Sequence, residues 1–353
     1  MTARPSNRRV LFLVRGKLGD TLTAYASVRA FADRHPDWDV ALLTRTDYAR
    51  LLEGEAGVRV VPFGSRLELA ARLVADRMAG REYEALAVMW AFGAAVRWAA
   101  RLVKARRRIH FRGGHDDLYP ERSALAPDDD LYAPAWQVAR MVAGDFPKPT
   151  RLSIPALAQR RTRAPRSEKV VGIVPVADED RKTFDAASLQ GLLAALISRH
   201  PGARFRVFVN PRDRGAARLA GSPLPGGAEW RSFTDLRALV AEYEELAAWY
   251  GTDTGLYHLA AAMGIPATVF FGPTQPWKIV APEQEKTSAV RLAVLGRAHC
   301  EEKRCTRPFC LHRAVASFAG SHPATALADA PGSCPLRAHP PAALAAIDEA
   351  PRR

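Results

Sequence analysis

The chain has 353 residues, 48% of them apolar, with 51 basic against 37 acidic side chains and a formal net charge of +14. That length exceeds what one hydrophobic core usually organises, and the apolar share suffices for two. No stretch approaches the roughly 20 apolar residues that span a bilayer, and the apolar run before Arg15 is too short for a signal peptide, so a cytoplasmic protein is expected. The basic excess points to anionic partners. Arg and Lys are scattered, however, and no nucleic-acid-binding module is recognisable, so nucleic acid is not expected among them.

Residues 10–14 form a short apolar run of the kind a buried strand carries. A polar turn follows, from Arg15 through Gly16, Lys17, Gly19 and Asp20 to Thr21, and residues 22–34 have helical spacing. Asp20 therefore stands at a helix start, as a cap or as a functional carboxylate. Gly16 and Gly19 lack the third glycine of a dinucleotide fingerprint, which argues against such a site. Further strands are expected at 40–43, 58–61 and 85–89, separated by helical stretches. The densest basic run, 97–108, reads as a solvated helix face leading into a strand at 109–111. Pro147, Lys148, Pro149 and Thr150 and then a basic, proline-bearing run over 159–169 mark the linker between two domains, 1–158 and 159–353. Alternation of strand and helix restarts at 170–174 and 205–209, the pattern of a second α/β domain. Acidic clusters at 128–130 and 178–180 invite comparison with a metal-binding Asp-x-Asp site. Acidic loops are usually solvated, and no catalytic metal is assigned to them.

The segment from 246 to 274 is the most informative. Residues 246–250 read as a strand, Asp253, Thr254 and Gly255 as a turn, 256–263 as a helix of small residues, and 267–271 as a strand ending in a second glycine-bearing turn. Both loops fall at the carboxyl edge of a parallel sheet, where open α/β folds bind ligands. Free N–H groups at the start of the helix, with the positive end of its dipole, suit a diphosphate. His258 lies in the first turn, where it could donate to a phosphate oxygen; packing alone is the plainer reading of a lone histidine.

Together these residues resemble family 9 glycosyltransferases, the bacterial ADP-heptose heptosyltransferases. The family's N-terminal turn has a Gly-Asp pair, matched by Gly19 and Asp20. Its C-terminal signature of Asp, Ser or Thr, Gly, two variable residues, His, Leu and three Ala is matched from Asp253 to Ala262, and its Phe-Gly-Pro-Thr tail from Phe271 to Thr274. The resemblance runs from about residue 8 to the chain end. It implies an α/β fold of GT-B architecture: two Rossmann-like domains facing across a cleft, the N-terminal one on the acceptor side and the C-terminal one holding the nucleotide sugar. It further implies inverting transfer of heptose from ADP-heptose without a catalytic cofactor. In that scheme Asp20, beside Gly19 and Thr21, is the base on the acceptor hydroxyl. Lys182, placed shortly before an aromatic residue (here Phe184), counters the diphosphate charge. Thr254, Gly255, Leu256 and His258 complete the diphosphate cradle, and Asp253 faces the sugar hydroxyls or caps the helix.

The implied acceptor is a glycolipid of the lipopolysaccharide-core type, with peripheral contact between the 97–108 run and anionic lipid of the inner membrane. Transfer to Ser or Thr of an autotransporter-type protein is an alternative, as is a non-catalytic nucleotide-sugar-binding protein. Two departures from the family pattern stand out. Ala24, Tyr25, Ala26 and Ser27 occupy the place of a Pro-Ala or Pro-Leu pair, and Phe184-Asp185 replaces Trp-Pro.

All four cysteines, Cys300, Cys305, Cys310 and Cys334, fall in the last sixth of the chain. A reducing compartment disfavours disulfides, which leaves a structural zinc or iron site or packed free thiols; the spacing lacks the close Cys-x2-Cys pair of common zinc sites. The family often carries a cysteine-rich segment here, and its autotransporter-modifying branch has a four-cysteine iron-binding finger.

Overall fold

Strand β1 (Arg8–Val14) buries its last five residues, as a run of Val, Leu and Phe does in a parallel sheet covered on both faces. After it come α1 (Leu18–Arg34), β2 (Trp38–Arg45), the short α2 (Thr46–Ala49), β3 (Arg59–Phe63), α3 (Arg66–Met78), β4 (Glu82–Met89), α4 (Ala94–Leu102), β5 (Lys104–His110) and β6 (Glu121–Arg122). Two helices, α5 (Ala133–Ala143) and α6 (Pro155–Arg163), lead to the second series. This comprises β7 (Val170–Val174), α7 (Ala186–Arg199), β8 (Arg204–Val209), α8 (Arg214–Leu219), β9 (Glu229–Ser232), α9 (Leu236–Glu244), β10 (Leu246–Thr252), α10 (Gly255–Ala262), β11 (Ala267–Phe271), α11 (Pro276–Ile279) and β12 (Ala289–Leu292). The computed structural model describes residues 8–112, 117–124, 130–163, 169–219, 221–272, 274, 276–280, 289–292, 311, 315 and 318–319.

The first sheet has the order β3-β2-β1-β4-β5-β6 and the second β12-β11-β10-β7-β8-β9, all pairs parallel. Counted within its own series, the second sheet repeats the order of the first. This is the doubly wound arrangement, whose ligand crevice opens where the strand order reverses, at the carboxyl ends of the first and fourth strands. The reversals lie between β1 and β4 and between β7 and β10. Asp20, Lys182 and Asp253 follow β1, β7 and β10 respectively, so topology alone brings these three to the two crevices.

One apolar cluster runs from α1, α5 and one face of the first sheet into α9, α10 and one face of the second. The other face of the first sheet is covered by α3 and α4 around Leu69, Leu73, Val96 and Ala99. The other face of the second is covered by α7 around Leu189, Leu192 and Leu196. The two lobes thus share a middle layer in which α1 packs against α10. Gly251, on β10, is fixed by this packing, because a Cβ there would lie 2.6 Å from the Val174 carbonyl oxygen and 2.7 Å from the Trp249 ring. Backbone cannot yield as a flexible side chain does, so Gly251→Ala is expected to destabilise the fold by about 1–3 kcal/mol, read as a lower denaturant midpoint at unchanged slope.

Two expectations are corrected. The basic run 97–108 is not one helix face: α4 ends at Leu102 and β5 begins at Lys104, five residues earlier than expected. On that strand Lys104 pairs with Glu82 and Arg106 with Glu84. Arg107 pairs with Glu121 and donates to the carbonyls of Met141 and Val142. Cross-strand opposite charges satisfy a strand that carries few apolar residues. The run 159–169 is not simply linker either, since Gln159 to Arg163 continue α6 and the expected boundary at 158/159 falls inside that helix. Pro155 suits the first helical turn. The buried Glu55 carboxylate accepts the Ala156 N–H at 2.6 Å, and Arg161 reaches the carbonyl of Gly264, so α6 is tied to both lobes.

Candidate active site

Asp20 is the third residue of α1. Its Oδ2 accepts the Lys17 N–H at 2.8 Å, closing the helix start from within, as an acidic third residue does in a capping box. The carboxylate folds back over Gly16, where a Cβ would lie 2.5 Å from the Asp20 Cβ and 2.6 Å from Oδ2. Gly16 is therefore the residue that gives Asp20 its room. Burial raises the Asp20 pKa from the ordinary 3.8, against the opposing pull of the Lys17 N–H and charge. The cap role and a second role are compatible, because one carboxylate has more acceptor sites than the single N–H uses.

The start of α10 is built differently. Its N-cap, Thr254, makes no side-chain hydrogen bond to the helix, so the first N–H groups, at Gly255 and Leu256, are not covered by the cap side chain. This start abuts that of α1: a Cβ on Gly255 would lie 3.1 Å from the Gly19 nitrogen and 3.1 Å from the Leu18 Cβ. Two glycines thus let a helix start from each lobe come together.

Lys182 lies after β7 in a short 3-10 turn, and its ammonium pairs with Asp253 at 2.6 Å; the side chains are 16% and 7% exposed. The N-cap position of α10 falls to Thr254 rather than to Asp253. Asp253 holds Lys182 at the mouth of β10. The side chains of the acidic cluster 178–180 are exposed, as expected, and are also ion-paired: Asp178 with Lys17 of the other lobe at 2.8 Å, Glu179 with Arg181 at 2.6 Å, and Asp180 with Arg218 at 2.5 Å.

His258 is 3% exposed and lies against Gly19, where a Cβ would sit 2.7 Å from its Cδ2. Its Nδ1 has no hydrogen-bond partner. Burial lowers its pKa to about 4, with Asp253 opposing and Lys182 reinforcing the shift. The imidazole is accordingly neutral and packed between the two helix starts. The unfolded chain takes up this proton near 6.5, so stability falls as pH drops from about 6.5 to about 4. His258→Gln should lessen that acid loss, measured as the difference in unfolding free energy between the two pH values. Thr21 is fully buried and its hydroxyl has no partner, so it belongs to the core rather than to the cleft wall.

Three features here were not anticipated. Lys17 and Asp178 form an ion pair between lobes, which single-sequence spacing cannot show. In the sequence Gly16 reads only as part of an incomplete dinucleotide fingerprint. Trp90, at the carboxyl end of β4, has φ +45°, a left-handed conformation that is costly for a bulky residue. Its carbonyl accepts the Arg15 N–H at 3.3 Å, and its ring joins Phe111 and the half-exposed Phe92 in an aromatic cluster beside the turn that carries Asp20.

The sequence profile of glycosyltransferase family 9 (heptosyltransferase) matches residues 131–309, just over half of the chain. The chain belongs to this family. It is thus a glycosyltransferase of heptosyltransferase type. No curated protein matches it by sequence. Among solved structures it is similar to the Escherichia coli heptosyltransferase WaaC with ADP, at 20% identity and TM-score 0.63 over 80% of this chain and 92% of that one. The E. coli ADP-heptose lipopolysaccharide heptosyltransferase II matches at 18% identity and TM-score 0.63 over 88% and 98%. The iron-containing dodecameric heptosyltransferase TibC of enterotoxigenic E. coli matches at 16% identity and TM-score 0.54 over 84% and 65%. At these identities the likeness establishes the fold, and the two facing parallel sheets are the GT-B architecture expected from the sequence.

Cys300, Cys305, Cys310 and Cys334, like Asp128 and Asp129, lie outside the described residues. Among the described residues no group of three His, Cys, Asp or Glu is placed to hold a metal ion, and no helix is long and apolar enough to cross a membrane.

Proposed function

We propose that this family 9 enzyme transfers heptose from ADP-heptose, with inversion, to a glycolipid acceptor of the lipopolysaccharide-core type. The observation that carries the reading is the meeting of the two helix starts: a raised-pKa carboxylate on one lobe beside an uncapped helix N-terminus and a lysine on the other. In a direct displacement the acceptor oxygen bonds to the anomeric carbon from the face opposite the diphosphate. Its proton passes to the Asp20 carboxylate, and the anomeric C–O bond breaks with its electron pair leaving on ADP. The N–H groups of Gly255 and Leu256 hold the departing phosphate, with the α10 dipole behind them. Lys182, kept at the crevice by Asp253, supplies the compact counter-charge.

Other residues support these. Gly16 shapes the space for Asp20, and Gly19 and His258 set the distance between the lobes. Half-exposed Phe92, backed by Phe111 and Trp90, offers the acceptor side a surface on which a sugar ring can stack. Support for the donor comes from the relatives, since one is described with ADP and another as an ADP-heptose enzyme. Incubation with ADP-heptose and a truncated core lipid should release ADP and yield a heptosylated lipid of inverted anomeric configuration. Release only in the presence of a Ser- or Thr-bearing protein acceptor would move the assignment to protein transfer, and no release with either would refute transfer.

A further inference from the structure

Three of the four large exposed apolar side chains among the described residues lie on one helix: Leu67 at 79%, Val74 at 43% and Met78 at 82% exposure, all on α3. With Ala71 and Ala75, both exposed, they recur at the spacing that lines one face of a helix. Leu69 and Leu73 of the same helix face the core, so α3 carries two apolar stripes, one buried and one turned outward.

The charge around the outer stripe is one-sided. Glu68 is paired with Arg72 and Asp76 with Arg81. Arg66 and Arg77 of α3, and Arg97 and Arg101 of the neighbouring α4, are exposed and have no acidic partner in the ion pairs of the described residues. Arg77 donates instead to the Arg101 carbonyl at 3.2 Å, which brings the ends of the two helices together. Both helices run back from the carboxyl edge of the first sheet, so Leu67, and Phe92 just before α4, stand at that edge.

We propose that this α3–α4 face seats on an anionic lipid surface. Flexible apolar side chains enter the headgroup boundary while the unpaired arginines meet lipid phosphates, as amphipathic interfacial helices do. A second copy of the chain fits poorly, since a symmetric contact would set one basic face against itself. The proposal deepens the reading of a lipid-linked acceptor and rests on it: docking here brings the edge bearing Phe92 toward the lipid plane.

The test is co-sedimentation of the full chain with phosphatidylcholine vesicles and with vesicles containing phosphatidylglycerol, at low and moderate salt. The chain is expected to pellet with the anionic vesicles only, less so at higher salt. Leu67→Asp/Met78→Asp should lower the partition at least tenfold, and Arg97→Gln/Arg101→Gln should lower it as well, with thermal melting curves near that of the parent. Equal pelleting with both vesicle types, none with either, or retention by both double variants overturns the proposal. So does a dimer in sedimentation velocity that Leu67→Asp/Met78→Asp dissociates, which gives the face to a second copy. Transfer to a detergent-dispersed acceptor, measured in parallel, should be unchanged in both variants. Vesicle binding without any transfer by the parent would count against the catalytic reading alone.

Discussion

Asp20→Asn is expected to lower kcat by about two to four orders of magnitude and to leave the affinity for ADP-heptose nearly unchanged, the range for removal of one general base. Asn is the informative replacement because its side-chain oxygen can still accept the Lys17 N–H, so the start of α1 stays closed while the basic group is lost. A purely structural cap would survive this change with activity intact. The raised pKa adds a second reading of the same residue. The acidic limb of the kcat profile in the parent enzyme should fall at a pH above 3.8, with the active form on the alkaline side, and Asp20→Asn should abolish that limb. Isothermal titration with ADP-heptose, run beside the kinetics, separates lost chemistry from lost binding.

Lys182→Met is expected to reduce kcat by about a hundredfold to a thousandfold, the loss typical when one preorganised electrostatic contact to a developing charge is removed. The single variant carries a complication that the structure identifies. Asp253 is buried and its partner is Lys182, so removing the lysine strands a carboxylate and costs about 3–5 kcal/mol of stability. Lys182→Met/Asp253→Asn relieves the stranded charge. The double variant should recover most of the unfolding midpoint and none of the turnover. Recovery of both would mean that Lys182 matters only as the partner of Asp253, and that another group carries the diphosphate.

Most of the fold was legible in the chain because parallel strands buried on both faces are written as continuous apolar runs. The strands at 170–174 and 267–271 match the observed ones end to end, and those starting near 10, 40, 58 and 85 differ by a few residues. Three of the misses share a cause. β5 is written as Lys-Ala-Arg-Arg-Arg, β6 as two charged residues and β9 as Glu-Trp-Arg-Ser. These lie toward the sheet edges, where cross-strand ion pairs stand in for apolar burial and the period-of-two signal vanishes. At the site, the Gly19-Asp20 turn and the 253–258 turn could be read because local backbone chemistry sets them. The partner choices could not. Lys182 with Asp253 and Lys17 with Asp178 join residues 71 and 161 positions apart in the sequence, and only the folded topology decides them. The left-handed Trp90 is equally silent, since nothing in a bulky residue's identity announces a conformation that it normally avoids.

In the proposed reaction a carboxylate of one lobe and an anion-holding helix start of the other address the same anomeric carbon. A crystal structure of the full chain with ADP-2-deoxy-2-fluoro-heptose, a donor analogue already seen with WaaC, tests this arrangement most directly. The diphosphate is expected on the Gly255 and Leu256 N–H groups within reach of Lys182. The Asp20 carboxylate is expected on the opposite side of the sugar, with room for one hydroxyl between them. A diphosphate bound away from α10, or an Asp20 that faces the same side of the sugar as the diphosphate, would contradict that arrangement.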